Sequence, residues 1–215
     1  MPTIPNWSLG DKHLLATVPE LAPLIHKYSP CTLRPEPSSR YFEILVRGMV
    51  AQQLPPEVVD NIFAHLQKLC GTITPQKLVD ATDKDLLTQG LVQQKIDYLR
   101  NMAHLTLQGE ITPDKFDDMT DAEINQQLMQ VKGLGQWTIE MFMLLAMCRT
   151  DIIPTADHNF AKAMQVLFNL PTIPKRGQIN KATETWRPWR SLAVWYLWQY
   201  SGEAKRLDKK KNKKK

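Results

Sequence analysis

Apolar side chains recur every three or four residues along most of the 215-residue chain, and no stretch longer than a few residues alternates apolar with polar positions. This spacing puts the apolar positions on one face of an α-helix. Stripes of this kind occur at 42–50, 59–69 and 96–103. The pattern therefore predicts an all-α fold.

Capping residues predict where several of these helices begin. Ser38 and Ser39 are candidate N-caps for the first stripe, and Thr120 with Glu123 has the spacing of a capping box. Asp157 follows a proline-containing loop and is a candidate N-cap for a further helix.

Charge is distributed unevenly along the chain, whose net charge is +5. Residues 203–215 hold eight basic and two acidic side chains, a charge of +6, so the other 202 residues, with 19 basic and 20 acidic side chains, carry −1. Attraction to a polyanion must therefore come from local patches or from this end of the chain. The last helix is predicted at about 188–200, and residues 205–215 are predicted to be a disordered, lysine-rich tail.

Composition limits the class of protein. Apolar residues make up 43% and charged residues 23%, which excludes a wholly disordered or fibrous chain. The longest apolar run, 141–147, is too short to cross a bilayer, and the N-terminus has no charged-then-apolar leader. Cys31, Cys70 and Cys148 lack the paired spacing of a zinc or iron–sulfur site. We expect an intracellular protein without membrane contact and without a metal held by side chains.

Residues 131–136, Val-Lys-Gly-Leu-Gly-Gln, lie between two amphipathic helices and leave room only for a tight helix–helix connection. Gly133 and Gly135 let the backbone adopt positive φ and leave its N–H groups unshielded. These groups and the start of the next helix favour an anion such as a DNA phosphate. A plain corner between helices would use the same glycines, so the spacing alone leaves both interpretations open.

With Trp137 added, this segment resembles the helix–hairpin–helix element of base-excision DNA glycosylases. Asp157 follows Trp137 by twenty residues, where that superfamily places its catalytic aspartate. The Trp-Arg-Pro-Trp-Arg-Ser-Leu-Ala of 186–193 and the Tyr-Leu-Trp of 196–198 resemble the C-terminal signature of 3-methyladenine DNA glycosylase II and its relatives. These matches occur in the order that the family shows.

Two further matches extend the resemblance over nearly the whole chain. The Val-Ala-Gln-Gln-Leu of 50–54 resembles the family segment that enters the minor groove, and Gly90, Leu91 and Lys95 match another family landmark. The chain is too short for the extra N-terminal β-domain of some members. The resemblance implies two helical lobes that flank a DNA-binding cleft, one made of 1–43 and 152–204, the other of 44–151 with the helix–hairpin–helix at about 120–148.

The resemblance implies a role for each site residue. Asp157 would stabilise the positive charge that develops on the sugar, or activate a water, as the N-glycosidic bond breaks. Trp137 and Trp198 would line the pocket for an extruded cationic base. Arg190 would brace the site, toward Asp157 or a neighbouring carbonyl. A plain N-cap and an ordinary surface ion pair are the structural alternatives for Asp157 and Arg190.

The resemblance also implies which residues contact DNA. Leu54 would fill the hole left by the extruded base, and Gln53 would contact the opposite strand. Burial at a helix end and contact with solvent are the alternatives for these two residues. No cofactor is required, although a monovalent cation joining hairpin carbonyls to a phosphate is compatible with the family. The hairpin residues expected to bind phosphate are Lys132, Gly133, Leu134 and Gly135.

Relatives that also cut the abasic strand, such as endonuclease III, carry a lysine nucleophile where this chain has Trp137, and C-terminal cysteines that this chain lacks. The resemblance therefore implies a monofunctional DNA glycosylase that hydrolyses the N-glycosidic bond of alkylated purines, of the 3-methyladenine and 7-methylguanine type, in base excision repair. We expect a monomer acting on double-stranded DNA in the cytoplasm or nucleoid, or in a nucleus. A non-catalytic DNA-binding module and a bifunctional glycosylase–lyase are the alternatives.

Overall fold

The computed structural model describes the backbone of residues 3–212 and the side chains of residues 3–203. Throughout this described part the regular secondary structure is helical, which confirms the all-α prediction. None of these helices is long and apolar enough to cross a membrane. The α-helices are α1 (Trp7–Thr17), α2 (Ala22–Tyr28), α3 (Tyr41–Ala51), α4 (Pro56–Cys70), α5 (Pro75–Asp80), α6 (Asp83–Thr88), α7 (Gln93–Leu107), α8 (Asp121–Leu128), α9 (Gln136–Leu145), α10 (His158–Leu167), α11 (Arg176–Ala182) and α12 (Arg190–Asn212).

The helices fall into two compact units. The central unit is formed chiefly by Pro35–Met147 and contains α3 to α9, whereas the terminal unit is formed by Ile4–Arg34 and the chain from Cys148 onward. The unit boundaries thus fall at 34/35 and 147/148, whereas the sequence predicts them at 43/44 and 151/152. The segment before α3 belongs to the central unit because the Glu36 N–H donates to the Ala146 carbonyl over 2.8 Å.

The core of the central unit forms around α3, which contacts α4, α7 and α9, while α5 and α6 contact α7. The apolar stripes predicted at 42–50, 59–69 and 96–103 face this core, with Leu69 as an exposed exception. Phe142 packs edge-to-face against Tyr41 and Phe116, with ring centroids 5.3 Å and 6.1 Å apart. This apolar burial stabilises the helices of the central unit.

The core of the terminal unit forms around α12, which contacts α1, α2 and α10. The ring of Trp186 stacks on Phe168 at 5.9 Å, and Trp7 meets Trp189 edge-on at 6.2 Å. Trp186 and Trp195 are buried, and Trp189 is half-buried. Two of the four tryptophans near the C-terminus are therefore core residues, and Trp198 is half-buried.

The helix ends agree with the sequence where a side-chain cap is strong. The Thr120 Oγ1 accepts from the Glu123 N–H over 3.3 Å, and the Glu123 Oε2 accepts from the Thr120 N–H over 2.7 Å. Thr82 likewise accepts from the Asp85 N–H at the start of α6. The predicted capping box is confirmed.

Two predicted helix ends are wrong. Ser38 and Ser39 lie in a 3₁₀ turn before α3 and do not cap it, because Arg40 occupies the N-cap position. The last helix does not end near residue 200 but runs to Asn212, into the segment predicted to be disordered. Lysine and arginine are good helix formers, and an existing helix extends at little cost. Residues 213–215 lie outside the described residues.

Candidate active site

The hairpin between α8 and α9 presents backbone donors at the first turn of α9. The Lys132 N–H donates to Asn101 Oδ1 over 2.8 Å, and the Leu134 N–H donates to the Val131 carbonyl over 3.2 Å. Free N–H groups at a helix start attract anions. Within residues 3–203, no acceptor takes the N–H groups of Gly133, Gly135, Gln136 and Trp137.

The two hairpin glycines have different structural tasks. Gly133 has φ +78°, and a Cβ at this position would lie 2.1 Å from the Tyr98 ring. Gly135 has φ −86° and is the N-cap of α9, and a Cβ there would meet no atom within 4 Å. The prediction of positive φ is therefore correct for Gly133 and wrong for Gly135. Of these two hairpin glycines, only Gly133 is required by the internal packing.

The turn after α3 carries the two residues predicted to enter DNA. Gln53 is exposed and has φ +61°, and Leu54 is half-buried. The preceding Gln52 donates through Nε2 to the Gly133 carbonyl over 3.0 Å and to Thr138 Oγ1 over 3.2 Å. The structure therefore brings Gln53 and Leu54 next to the hairpin.

Lys95, in the first turn of α7, also contacts the turn after α3. Its ammonium donates to the carbonyl oxygens of Met49 at 2.9 Å, Val50 at 2.6 Å and Gln52 at 2.9 Å. Burial lowers the pKa of this ammonium below its ordinary value. The sequence marks Lys95 only as a family landmark, because no local pattern connects residues more than forty positions apart.

A cavity of about 260 Å³ opens beside Trp137 in the central unit. Trp137 lies in the first turn of α9 and is 41% exposed. The cavity wall also contains Arg47, whose guanidinium lies over the Phe63 ring and forms an ion pair with Asp60. Most of the remaining wall is apolar, which suits a flat aromatic ligand. It includes Gly48, Ala51, Met141, Phe142 and Leu145.

Asp157 is the N-cap of α10 and is only 8% exposed. The Phe160 N–H, at 2.7 Å, and the Trp198 Nε1–H, at 3.1 Å, both donate to its Oδ1. Within the described side chains and backbone, nothing donates to Oδ2. The capping role is confirmed, and it occupies one carboxylate oxygen only.

Arg190 supports the loop that precedes Asp157. Its Nε donates to Asp151 Oδ1 and its Nη2 to the Asp151 carbonyl, both at 2.5 Å. Of the two alternatives that the resemblance implies, Arg190 thus contacts a neighbouring carbonyl and not Asp157, and it also forms an ion pair with Asp151. The Ser191 N–H donates to the Thr150 carbonyl, which fixes the start of α12 facing this loop and directs Arg190 to Asp151.

Leu134 has few groups that are accessible to an external ligand. Its side chain is 4% exposed and its N–H is bonded to the Val131 carbonyl, so only its own carbonyl remains for the predicted DNA contact. Lys132, by contrast, is exposed at the tip of the hairpin. The predicted hairpin contacts therefore reduce to backbone groups and one lysine side chain.

Comparison with known proteins identifies the family of this chain. Residues 46–188 match the family described as HhH-GPD superfamily base excision DNA repair protein. The alkylbase DNA glycosidase-like protein mag2 of Schizosaccharomyces pombe is 27% identical over 90% of this chain and 93% of its own length. DNA-3-methyladenine glycosylase 1 of the same yeast is 30% identical over 74% of this chain and 72% of its own length.

Solved structures of similar proteins share this fold. The 3-methyladenine DNA glycosylase Mag1 of Schizosaccharomyces pombe, in complex with abasic DNA, superposes with a TM-score of 0.78 at 27% identity, covering 90% of this chain and 96% of that one. A DNA-3-methyladenine glycosidase from Bacillus halodurans superposes with a TM-score of 0.80 at 24% identity, covering 90% and 89% of the two chains. The chain belongs to the HhH-GPD superfamily of base excision DNA repair proteins.

Proposed function

We propose that this protein is a monofunctional DNA glycosylase that hydrolyses the N-glycosidic bond of alkylated purines in double-stranded DNA. The yeast relatives are named as an alkylbase glycosidase-like protein and a 3-methyladenine glycosylase, and the compared complex contains abasic DNA. The observation that carries the proposal is the Asp157 carboxylate, whose Oδ1 is held by two donors while Oδ2 accepts from no described residue.

This carboxylate suits a reaction that develops positive charge on a sugar. As the bond between C1′ and the base nitrogen lengthens, Oδ2 would stabilise the cationic sugar and accept a proton from the water that adds to C1′. The two donors on Oδ1 restrict rotation of the carboxylate and so fix the direction of Oδ2. The products are the free base and an abasic sugar.

Cationic purines explain why the proposal needs no strong general acid. A purine alkylated at N3 or N7 already carries a positive charge and leaves as a neutral base. Indole faces attract cations and stack on extruded bases. We assign this task to Trp198, which is half-buried and donates to Asp157 Oδ1, and a contribution of Trp137 remains an implication of the family resemblance.

Backbone groups of the hairpin are proposed to hold the DNA strand. The unpaired N–H groups at the start of α9 would bind a phosphate, and the exposed Lys132 would add positive charge. The carbonyls of Lys132 and Leu134 accept no hydrogen bond among the described residues, so they fit a monovalent cation bridging to the same phosphate. Weaker DNA binding in tetramethylammonium than in potassium at equal ionic strength would support this cation, and equal binding would oppose it.

Replacement of Asp157 by asparagine tests the catalytic assignment. Asparagine caps a helix about as well as aspartate, so Asp157→Asn removes the charge while α10 keeps its N-cap. We expect release of methylated purines from duplex DNA, measured by chromatography of the free bases, to fall about 100-fold or more. The melting temperature should stay close to the wild-type value. Undiminished base release by a folded Asp157→Asn variant contradicts the proposal.

Two further measurements separate the alternatives. Trp137 occupies the position of the lysine nucleophile in strand-cutting relatives, so borohydride should trap no covalent enzyme–DNA adduct. A trapped adduct would favour the glycosylase–lyase. DNA binding by the wild-type protein without release of any base would favour a non-catalytic binding module.

A further inference from the structure

The carbonyl groups at the C-terminal end of α3 accept hydrogen bonds from a side chain of another helix. The last carbonyls of a helix have no partner within it and carry partial negative charge. Lys95 donates to three such oxygens, those of Met49, Val50 and Gln52, at 2.6–2.9 Å. A single ammonium therefore satisfies the acceptors at the point where the chain leaves α3.

The turn that follows has a conformation that requires support. Gln53 has φ +61°, a left-handed backbone that costs free energy for residues other than glycine. The Leu54 N–H donates to the Ala51 carbonyl over a long 3.3 Å, which holds the turn only weakly. The three bonds from Lys95 therefore help to fix the start of this turn.

A second contact connects the turn to the hairpin. Gln52 donates to the Gly133 carbonyl and to Thr138 Oγ1, and its own carbonyl accepts from Lys95. One residue thus joins the α3 end, the hairpin and the first turn of α9. A displacement of the turn would break bonds at the hairpin as well.

We propose that Lys95 and Gln52 are positioning residues that hold the turn carrying Gln53 and Leu54 in one rigid arrangement with the hairpin. Phosphate binding by the hairpin then places Leu54 at the base stack in the same step, without a separate ordering of the turn. This inference rests on the proposed function, because it assumes that Leu54 enters the duplex. Neither residue contacts the reacting atoms in this proposal.

Replacement of Lys95 by methionine tests the proposal because it keeps an unbranched apolar stem and removes all three donors. Filling the stack is needed in a duplex and not in a single strand. We expect kcat/KM for excision of 3-methyladenine from duplex DNA to fall about tenfold, and kcat/KM on single-stranded DNA to fall less than about threefold. Equal losses on the two substrates would overturn the proposal.

Lys77→Met is the matched control. The Lys77 ammonium donates to the Cys70 carbonyl at the end of α4, so this variant loses a helix cap of the same chemistry in the same unit. We expect it to lower the melting temperature without changing the ratio of duplex to single-strand activity. A change in that ratio equal to that of Lys95→Met would show that the effect is general destabilisation and would overturn the proposal.

A double-mutant cycle with Leu54→Ala identifies the residue through which Lys95 acts. If Lys95 acts by positioning Leu54, Lys95→Met should change duplex activity by less than about twofold once Leu54 is alanine. Independent multiplication of the two losses would contradict the proposal. Fluorescence of 2-aminopurine next to the lesion should show reduced unstacking in Lys95→Met.

Gln52→Met supplies a second test if Lys95→Met fails to fold. It removes the two amide bonds to Gly133 and Thr138 and leaves the Lys95 bonds to backbone carbonyls in place. We expect the same selective loss on duplex DNA, and a loss of equal size on both substrates would overturn the proposal. A wild-type protein that excises no base contradicts the proposed function instead, so the two failures are distinguishable.

Discussion

The Asp157 carboxylate illustrates how one side chain serves structure and chemistry together. Its Oδ1 caps α10 through the Phe160 N–H and accepts the indole N–H of Trp198. A hydrogen bond to a charged group contributes about 1.5–3 kcal/mol, so Trp198 has an electrostatic task in addition to its proposed stacking on the base. The two tasks of Trp198 can be separated by substitution.

Trp198→Phe keeps an aromatic face and removes the Nε1–H donor. We expect kcat for base excision to fall about tenfold because the carboxylate loses one of its two anchors, while KM changes less. Trp195→Phe is the control, since Trp195 is buried beside Tyr196 and makes no contact with Asp157 among its described interactions. It should lower the melting temperature and leave kcat unchanged. A kcat loss confined to Trp195→Phe would contradict this assignment.

Cys31 gives a prediction about pH. Burial raises the pKa of its thiol from 9.0 to about 12, because the thiolate is poorly solvated in the core. The neutral thiol is therefore favoured in the folded state, and this stabilisation is complete below pH 9 and is lost as the pH rises from 9 toward 12. We expect the free energy of unfolding to fall less steeply over this range in Cys31→Ala than in the wild type.

A thiol reagent checks the same assignment independently. Cys31, Cys70 and Cys148 are all buried. We expect Cys31 to react at pH 8 only after denaturant is added. Rapid labelling of Cys31 in the native protein, identified by peptide mapping, would contradict a buried thiol of raised pKa.

At the scale of the element, the two glycines of the helix–hairpin–helix have different roles. Gly133 is required by its positive φ and by the Tyr98 ring, whereas the fold places no restriction on a side chain at Gly135. The proposed phosphate would approach the bare backbone at Gly135. Substitution at the two positions should therefore separate folding from DNA binding.

We expect Gly133→Ala to lower the melting temperature and DNA affinity together, because the added methyl group meets Tyr98 and the residue must adopt φ +78°. Gly135→Ala should keep the melting temperature within about 2 °C of the wild type and weaken binding to abasic duplex DNA about tenfold. Thermal unfolding and fluorescence anisotropy measure the two effects. Unchanged DNA affinity in Gly135→Ala would contradict phosphate binding at this position.

Local sequence signals predict the elements that depend on neighbouring residues. The Thr120 capping box and the Asp157 cap follow from residues three positions apart, and the long stripes of α3, α4 and α7 follow from periodicity. The short α5 has too few turns to give such a signal. The bonds from Lys95 to the end of α3 and from Gln52 to Gly133 join distant positions, so they depend on tertiary packing and could not be predicted.

The orientation of Arg190 shows the same limit within the candidate site. The signature around Arg190 predicts a supporting role, and the structure gives it one through Asp151. Its partner depends on how Ser191 attaches the start of α12 to the loop at 149–152. The family resemblance thus predicts a supporting role for Arg190 without predicting the atom that it contacts.

At the scale of the whole molecule, positive charge is concentrated at one end of the chain. Residues 1–202 carry a net charge of −1, so the proposed phosphate at the hairpin would be attracted by oriented backbone donors and Lys132 and not by a broadly basic surface. The basic segment, residues 205–215, holds eight Lys and Arg and one Asp, a charge of +7. Sequence-independent affinity for DNA should therefore depend mainly on this segment.

Replacement of the eight basic residues of the basic segment by glutamine tests this division. Each phosphate contact contributes about 0.9 to the slope of log K against log salt concentration, so losing several contacts should flatten the salt dependence of binding to undamaged DNA. Excision at saturating enzyme should remain unchanged, because the segment takes no part in the proposed chemistry. Lys132→Gln is the contrasting variant. It should change the slope by the value of about one phosphate contact and also reduce excision at limiting enzyme. An unchanged slope in the glutamine variant would place the electrostatic contacts elsewhere on the protein.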